Sequence, residues 1–181
     1  MPEDLFRPQL GEPHHQAYVV DDIEATVHRL VDGLGAGPFF FIENVPLEDV
    51  RSRGEPAEFV HNSAFGRCGD GTIELIEPAT LAPERVKNAF APPRPRVHHV
   101  AYVVPETEVV DLRASLDQRG LPQYLSSRFG GVETTLHSAS TALGHDIEIH
   151  VDNKGLHDFF GMVSGAALGW DGSQPLRPVE T

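Results

Sequence analysis

Apolar positions along this chain switch repeatedly between a period of two and a period near four. From His15 to Val20 the pattern alternates: His15, Ala17 and Val19 share one face, while His14, Gln16 and Tyr18 share the other. Asp21 and Asp22 then offer a helix N-cap, ahead of Ile23, Val27, Leu30, Val31 and Leu34 at the spacing of one helical face. Gly33 and Gly35 close that helix. The run Phe39 to Ile42 reads as a buried strand. A connection rich in proline and charge leads to a strand over Glu58 to Phe65, and Gly69 to Gly71 turns into another over Thr72 to Glu77. The predicted order is βαβββ.

The same order recurs. His14-His15-Gln16-Ala17-Tyr18-Val19-Val20 returns as His98-His99-Val100-Ala101-Tyr102-Val103-Val104, identical at six of seven positions. A strand over Val97 to Val104 is followed by the helical face Val109, Leu112 and Leu116, stopped by Gly120. Strands near Gln123 to Ser127, Val132 to Ser138 and Asp146 to Val151 complete it. The chain is therefore expected to be α+β, with a first module over 13–78 and a second over 97–152, preceded by an extension over 1–12. The intervening 79–96 stretch holds Pro83, Pro92, Pro93 and Pro95 and reads as an extended, stiff linker. In the 153–181 segment, Leu156 to Trp170 is expected to form a short helix completing the core rather than a substrate lid, and Asp171 to Thr181 to fray.

Composition narrows the function. The 181 residues, 40% of them apolar, are enough for one domain or two small fused modules. Lys and Arg number 14 against 27 Asp and Glu, a net charge of −13, and the basic residues are scattered singly. That balance argues against nucleic acid and anionic membrane surfaces as partners. Neither a secretory leader nor an apolar run near 18 residues is present, so a cytoplasmic location is expected. Cys68 is the only cysteine, which excludes an intrachain disulfide and any multi-cysteine zinc site. Metal ligands, if any, are nitrogen and oxygen.

Ten histidines are many for this length, and two of them pair with two unusual carboxylates. Glu74 interrupts Ile73-Glu74-Leu75-Ile76, and Glu148 interrupts Ile147-Glu148-Ile149-His150, at matching places late in each half. A carboxylate in such a strand is costly to bury unless it is paired or coordinated. His15, Glu74, His99 and Glu148 are therefore candidates for one shared site, against structural or surface roles. His14 and His98 would replace His15 and His99 only if the register slipped by one. His145 and His150 are candidates for contact with Glu148 or substrate. Arg51 and Arg53 are candidates for an anionic substrate group, against the commoner role of solvated loop arginines. Tyr18 and Tyr102 are expected to pack against the helices, and Phe39 to Phe41 to lie in the core.

These residues carry a resemblance to the vicinal-oxygen-chelate superfamily, which includes glyoxalase I, methylmalonyl-CoA epimerase, extradiol dioxygenases and bleomycin-resistance-type binding proteins. His15 is followed seven residues later by Asp22, and His99 at the same interval by Glu106, while Glu74 and Glu148 stand where the family's closing strands bear ligands. Ala36 to Phe40 and Trp170-Asp171-Gly172 resemble a glyoxalase-like branch near the epimerases. The resemblance implies two tandem βαβββ modules forming an open, cup-shaped mixed sheet with helices outside. It also implies one divalent ion (nickel, cobalt, zinc, manganese or iron) with His15, Glu74, His99 and Glu148 as its metal ligands, two imidazoles and two carboxylates suiting such an ion, often a homodimer, and a small substrate with a carbonyl or vicinal oxygens. The implied reaction is an isomerase, epimerase or lyase step that removes a proton beside a metal-polarised carbonyl, with Glu148 the first choice as base and Glu74 the second. Epimerases of this family carry Gln where Glu74 stands, so the four-ligand set is closer to bacterial glyoxalase I. The alternatives are a metal-free binding protein of bleomycin-resistance type and a ring-cleaving extradiol-type dioxygenase, for which Glu74 would be a surplus ligand.

Overall fold

The repeated sequence forms the centre of the sheet. In the computed structural model, which describes residues 10–179, strand β1 (His15–Val19) pairs antiparallel with β7 (Arg96–Val104), so the two copies of the motif lie side by side. Each copy also pairs in parallel with the last strand of its own half, β1 with β6 (Gly71–Ala82) and β7 with β10 (Asp146–Val151). Outward from this four-strand centre come β5 (Glu58–Cys68) and β2 (Phe39–Ile42) on one side, and β9 (Val132–His137) and β8 (Gln123–Phe129) on the other. The result is the expected α+β architecture: an open, mixed, 11-stranded sheet built from two similar halves.

Helices α1 (Ile23–Leu34) and α3 (Glu106–Gln118) cover one face of the sheet. Asp22 caps α1 by accepting a 2.8 Å hydrogen bond from the Ala25 amide, and Gly35 ends it in the left-handed region. Ile23 and Val27 of α1 pack with Val20, Phe39 and Leu75, and Tyr18 lies against this cluster. The second half repeats the arrangement, with Val109, Leu112 and Leu116 of α3 against Val104, Ile147 and Ile149, and Tyr102 beside them. Both tyrosines thus take the packing role expected of them. Burying side chains of this size contributes about 1.5–3 kcal/mol each.

Three segments depart from expectation. The 79–96 stretch is not extended throughout: β6 runs on to Ala82, and α2 (Glu84–Ala89) follows, with Pro83 at its N-cap, where a missing amide costs nothing. Val86 and Phe90 then pack on the opposite face with Ala17, Val19 and Ile76. Between β2 and β5, the short strands β3 (Glu48–Ser52) and β4 (Glu55–Pro56) leave the first half and extend the second, β3 pairing with β8. Finally, the tail is not wholly frayed. Past the short α4 (Ser140–Leu143) and helix α5 (Lys154–Ala167), β11 (Leu176–Pro178) pairs in parallel with β2 and finishes the opposite sheet edge. The expected 1–12 extension falls largely outside the described residues, as do the last two residues of the tail.

One close approach fixes the first half. Gly66 of β5 sits over the fully buried Phe39 ring, and a Cβ there would stand 2.6–2.8 Å from three ring carbons. Gly66→Ala is expected to lower unfolding stability by about 1–3 kcal/mol through overpacking, measured by urea denaturation; an unchanged midpoint would contradict this packing.

Candidate metal centre

Strand register assembles the cluster. Ala17 is the neighbour of both His99 on β7 and Glu74 on β6, while Ala101 is the neighbour of both His15 on β1 and Glu148 on β10. The repeated His-x-Ala therefore puts each histidine beside the small residue of the other copy, leaving room for four large polar side chains on one face. Ala17 and Ala101 are fully buried.

All four sequence-predicted residues meet there. One ligand atom from each of His15, Glu74, His99 and Glu148 lies within 4.8 Å of every other, and all four residues are buried. Glu74 Oε2 is 3.3 Å from His15 Nε2 and 3.4 Å from His99 Nε2; Glu148 Oε2 is 3.5 Å and 3.0 Å from the same two atoms. Yet His15 Nε2, His99 Nε2 and Glu148 Oε2 have no hydrogen-bond partner of proper geometry among the described residues. Buried atoms of this kind are normally satisfied. Their convergence fits a divalent ion held by two imidazole nitrogens and two carboxylate oxygens.

Without an ion the charges balance through protons. Burial opposes the charged form of His99, but Glu148 and Glu74 outweigh it and hold the imidazole up to about 10; His15 is raised in the same way. Burial likewise opposes ionisation of Glu74 and Glu148, yet the facing histidines hold both carboxyls below their ordinary range. Protons and a metal therefore compete for the same four groups.

Around this centre each side chain is held by a neighbour. Ser63 on β5 donates its hydroxyl hydrogen to Glu74 Oε1 at 2.8 Å. His14 Nδ1 lies 3.0 Å from His15 Nδ1, and His98 Nδ1 lies 2.9 Å from His99 Nδ1, so the same contact occurs in both halves. Burial, reinforced by the adjacent His15, lowers His14 to about 4; burial, with His99 beside it, keeps His98 neutral too. Each is therefore an acceptor for the Nδ1–H of the next histidine, which leaves the Nε2 of His15 and His99 directed at the cluster. His14 and His98 thus stand outside the cluster of four and orient its two histidines. Strict alternation would turn His98 away from His99. A bulge at this point of the β1–β7 ladder makes His98 the extra residue, buried with its ring stacked 4.0 Å from Phe90.

The other candidates separate. His150 Nε2 is 2.8 Å from Glu148 Oε2 and its Nδ1 is 2.9 Å from Thr134 Oγ1, which brings it to the site. His145 instead contacts the Asp146 carbonyl at 2.9 Å and does not line the cavity. Arg51 pairs with Asp49 at 2.7 Å on the surface, and Arg53 borders a separate groove. Phe39 and Phe40 are buried as expected and Phe41 is partly so. His61 carried no expectation, because its strand lacks the repeated motif that marks the others. It is buried on β5, stacked 4.0 Å from Phe59, kept neutral mainly by burial, and lines the cavity above the cluster. Helix α5 covers that cavity with Leu156, Phe159 and Phe160 as well as burying Val163, so it both closes the site and completes the core.

Two measurements follow from this geometry. Metal affinity is expected to rise with pH up to about 10, since His99 must lose its proton to bind. At neutral pH the ion should displace the His99 proton, so binding releases protons; calorimetric heats independent of buffer ionisation enthalpy would contradict this. His98→Phe preserves a ring against Phe90 but removes the Nδ1 acceptor, and should weaken metal binding by about 10- to 100-fold with the fold intact by circular dichroism. Unchanged affinity would remove His98 from its orienting role.

Comparison with known proteins agrees with this architecture. No curated protein matches the sequence. Among solved structures, a hypothetical protein from Bacillus halodurans superposes with a TM-score of 0.53 at 18% identity, covering 79% of this chain and 95% of that one. Methylmalonyl-CoA epimerase from Mycobacterium tuberculosis superposes with a TM-score of 0.54 at 15% identity, over 83% of this chain and 93% of that one. At such identities these likenesses speak for the fold alone. The sequence profile of the Glyoxalase/Bleomycin resistance protein/Dioxygenase superfamily matches residues 14–131, well over half the chain. The chain belongs to that superfamily, the vicinal-oxygen-chelate group that its repeated His and Glu motifs resemble.

Proposed function

We propose that this protein is a metal-dependent vicinal-oxygen-chelate enzyme, an isomerase, epimerase or lyase, that removes a proton next to a carbonyl of a small substrate. The observation that carries the reading is the convergence of two buried glutamates and two buried histidines, with His15 Nε2, His99 Nε2 and Glu148 Oε2 lacking hydrogen-bond partners among the described residues. His15, Glu74, His99 and Glu148 would hold the ion. A divalent metal bound there supplies Lewis acidity, polarising a carbonyl and stabilising the negative charge that develops as the neighbouring proton leaves.

The proton needs a base within this chain, and Glu148 suits that role better than Glu74. Glu74 is tied on both sides, by the Ser63 hydroxyl at Oε1 and by the histidines at Oε2. Among the described residues no hydroxyl holds Glu148 in this way. His150, 2.8 Å from Glu148 Oε2 and backed by Thr134, is positioned to steady the carboxylate as it gains and returns a proton. Helix α5 and the apolar cavity wall exclude water around the exchange. The epimerase of the same fold offers analogy for such chemistry but not for this substrate.

The test uses 2-hydroxyacetophenone, which bears two adjacent oxygens and an acidic C–H. The metal-loaded protein should catalyse exchange of its α-hydrogens with deuterated water, followed by NMR, and Glu148→Gln should slow exchange by about 100-fold or more. Glu74→Gln combined with Glu148→Gln should abolish metal content. Protein that takes up none of nickel, cobalt, zinc, manganese or iron(II) would overturn the reading in favour of a metal-free binding protein, and oxygen uptake with catechol would redirect it to a dioxygenase.

A further inference from the structure

The cavity above the cluster is about 280 Å³, at the small end of the range for ligand sites. Its wall is dominated by carbon. Among the described residues no Lys or Arg lines it, and beyond the four cluster residues its polar side chains are His61, His150 and three hydroxyls. Two of those hydroxyls are already engaged, Ser63 with Glu74 and Thr134 with His150. Little polar capacity is left for a substrate tail.

The carbon wall is also ordered. Phe65, Phe159 and Phe160 meet edge to face, with centroids 5.2–5.5 Å apart, and Phe160 lies nearly parallel to the His15 ring at 5.4 Å. Aromatic surface thus begins directly beside the cluster, supplied by β5 and by the covering helix α5. Phe129, at the end of β8, adds a partly exposed ring to the same wall.

Among the described residues, the arginines of the neighbouring groove do not turn toward the cavity lining. Arg85 and Arg96, which border a separate groove with Arg53, spend their guanidinium groups on Ser52 and on the carbonyls of Ala89, Ala91 and Val97. The chain's net charge of −13 repels a polyanion before it arrives.

Building on the proposed proton-abstraction site, we infer that the substrate is compact and apolar, a group of about one aromatic ring carrying two adjacent oxygens, and that it is not borne on coenzyme A or glutathione. The oxygens meet the cluster and the ring occupies the wall of Phe65, Phe159 and Phe160. Fixed rings of this kind favour a flat aromatic partner over a flexible chain through stacked and edge-on contacts.

The experiment compares three ligands with a common two-oxygen hydroxamate head on the cobalt(II)-loaded protein: acetohydroxamate, benzohydroxamate and a glutathione-linked hydroxamate. Affinity is read by calorimetry and by the shift of the cobalt visible bands. Benzohydroxamate should bind about 10- to 100-fold more tightly than acetohydroxamate, and the glutathione-linked ligand more weakly than benzohydroxamate. Phe159→Ala should retain the cobalt spectrum while shrinking the benzohydroxamate advantage. Equal affinity for the two small ligands, or tightest binding of the glutathione conjugate, overturns this inference and leaves the metal site standing. Failure to bind cobalt at all overturns the metal-dependent reading and this inference with it.

Discussion

Two carboxylates buried at the seam between two modules impose the constraint on which the rest of this molecule depends. Glu74 and Glu148 are placed by strand register, and both are buried. Such charges persist inside a protein only with compensating positive charge at close range. His15 and His99 supply it as imidazolium in the metal-free protein, which is why the histidines are pushed up and the glutamates down together. A divalent ion would replace those two protons and leave the local charge unchanged. The cluster is thus balanced in both states, and the fold need not rearrange to pass between them.

That economy relies on small residues and on irregularity. Ala17 and Ala101 give the large side chains space, since anything bulkier would stand between a histidine and the carboxylate of its neighbouring strand. The bulge at His98 breaks the alternation of β7, and through it the second half reproduces a contact that the first half makes with His14 at the strand entrance. Similar histidine pairs are therefore reached by different backbone routes. What is repeated is the hydrogen bond, not the geometry that delivers it.

This difference explains how much was legible in the sequence. The near-identical runs at His14 and His98 and the matching Glu74 and Glu148 reveal the repeat and the four residues that cluster, because duplicated local pattern reports duplicated local structure. The helix beginning at Asp22 and ending at Gly35 is equally local. What was not legible is what one half does to the other. Nothing within Glu48 to Pro56 signals that it will pair with β8, or within Leu176 to Pro178 that it will complete the edge beside β2, since each pairing depends on a strand far away in sequence. Prolines misdirected the reading of the 79–96 stretch, because Pro83 is as compatible with a helix start as with an extended chain. His61 was missed for the same reason as the β3 crossing: its neighbourhood is made by tertiary contacts, including the hydrogen bond from the Val45 amide to its own carbonyl at 2.9 Å.

The cavity wall draws in part on stretches outside the two repeated motifs. The symmetric centre, β6-β1-β7-β10, accounts for the charged cluster and owes nothing to insertions. The wall above it is asymmetric: Val45 and Leu47 come from the connection before β3, and Leu156, Phe159 and Phe160 come from the helix beyond the second module. The cluster and the cavity wall are thereby carried in part by different stretches of chain, the first by the duplicated strands and the second also by segments at their margins. Likeness of fold to an epimerase speaks for the strand framework and is silent about the wall. The wall must be read from its own residues, and among those described here it is aromatic and free of fixed cations.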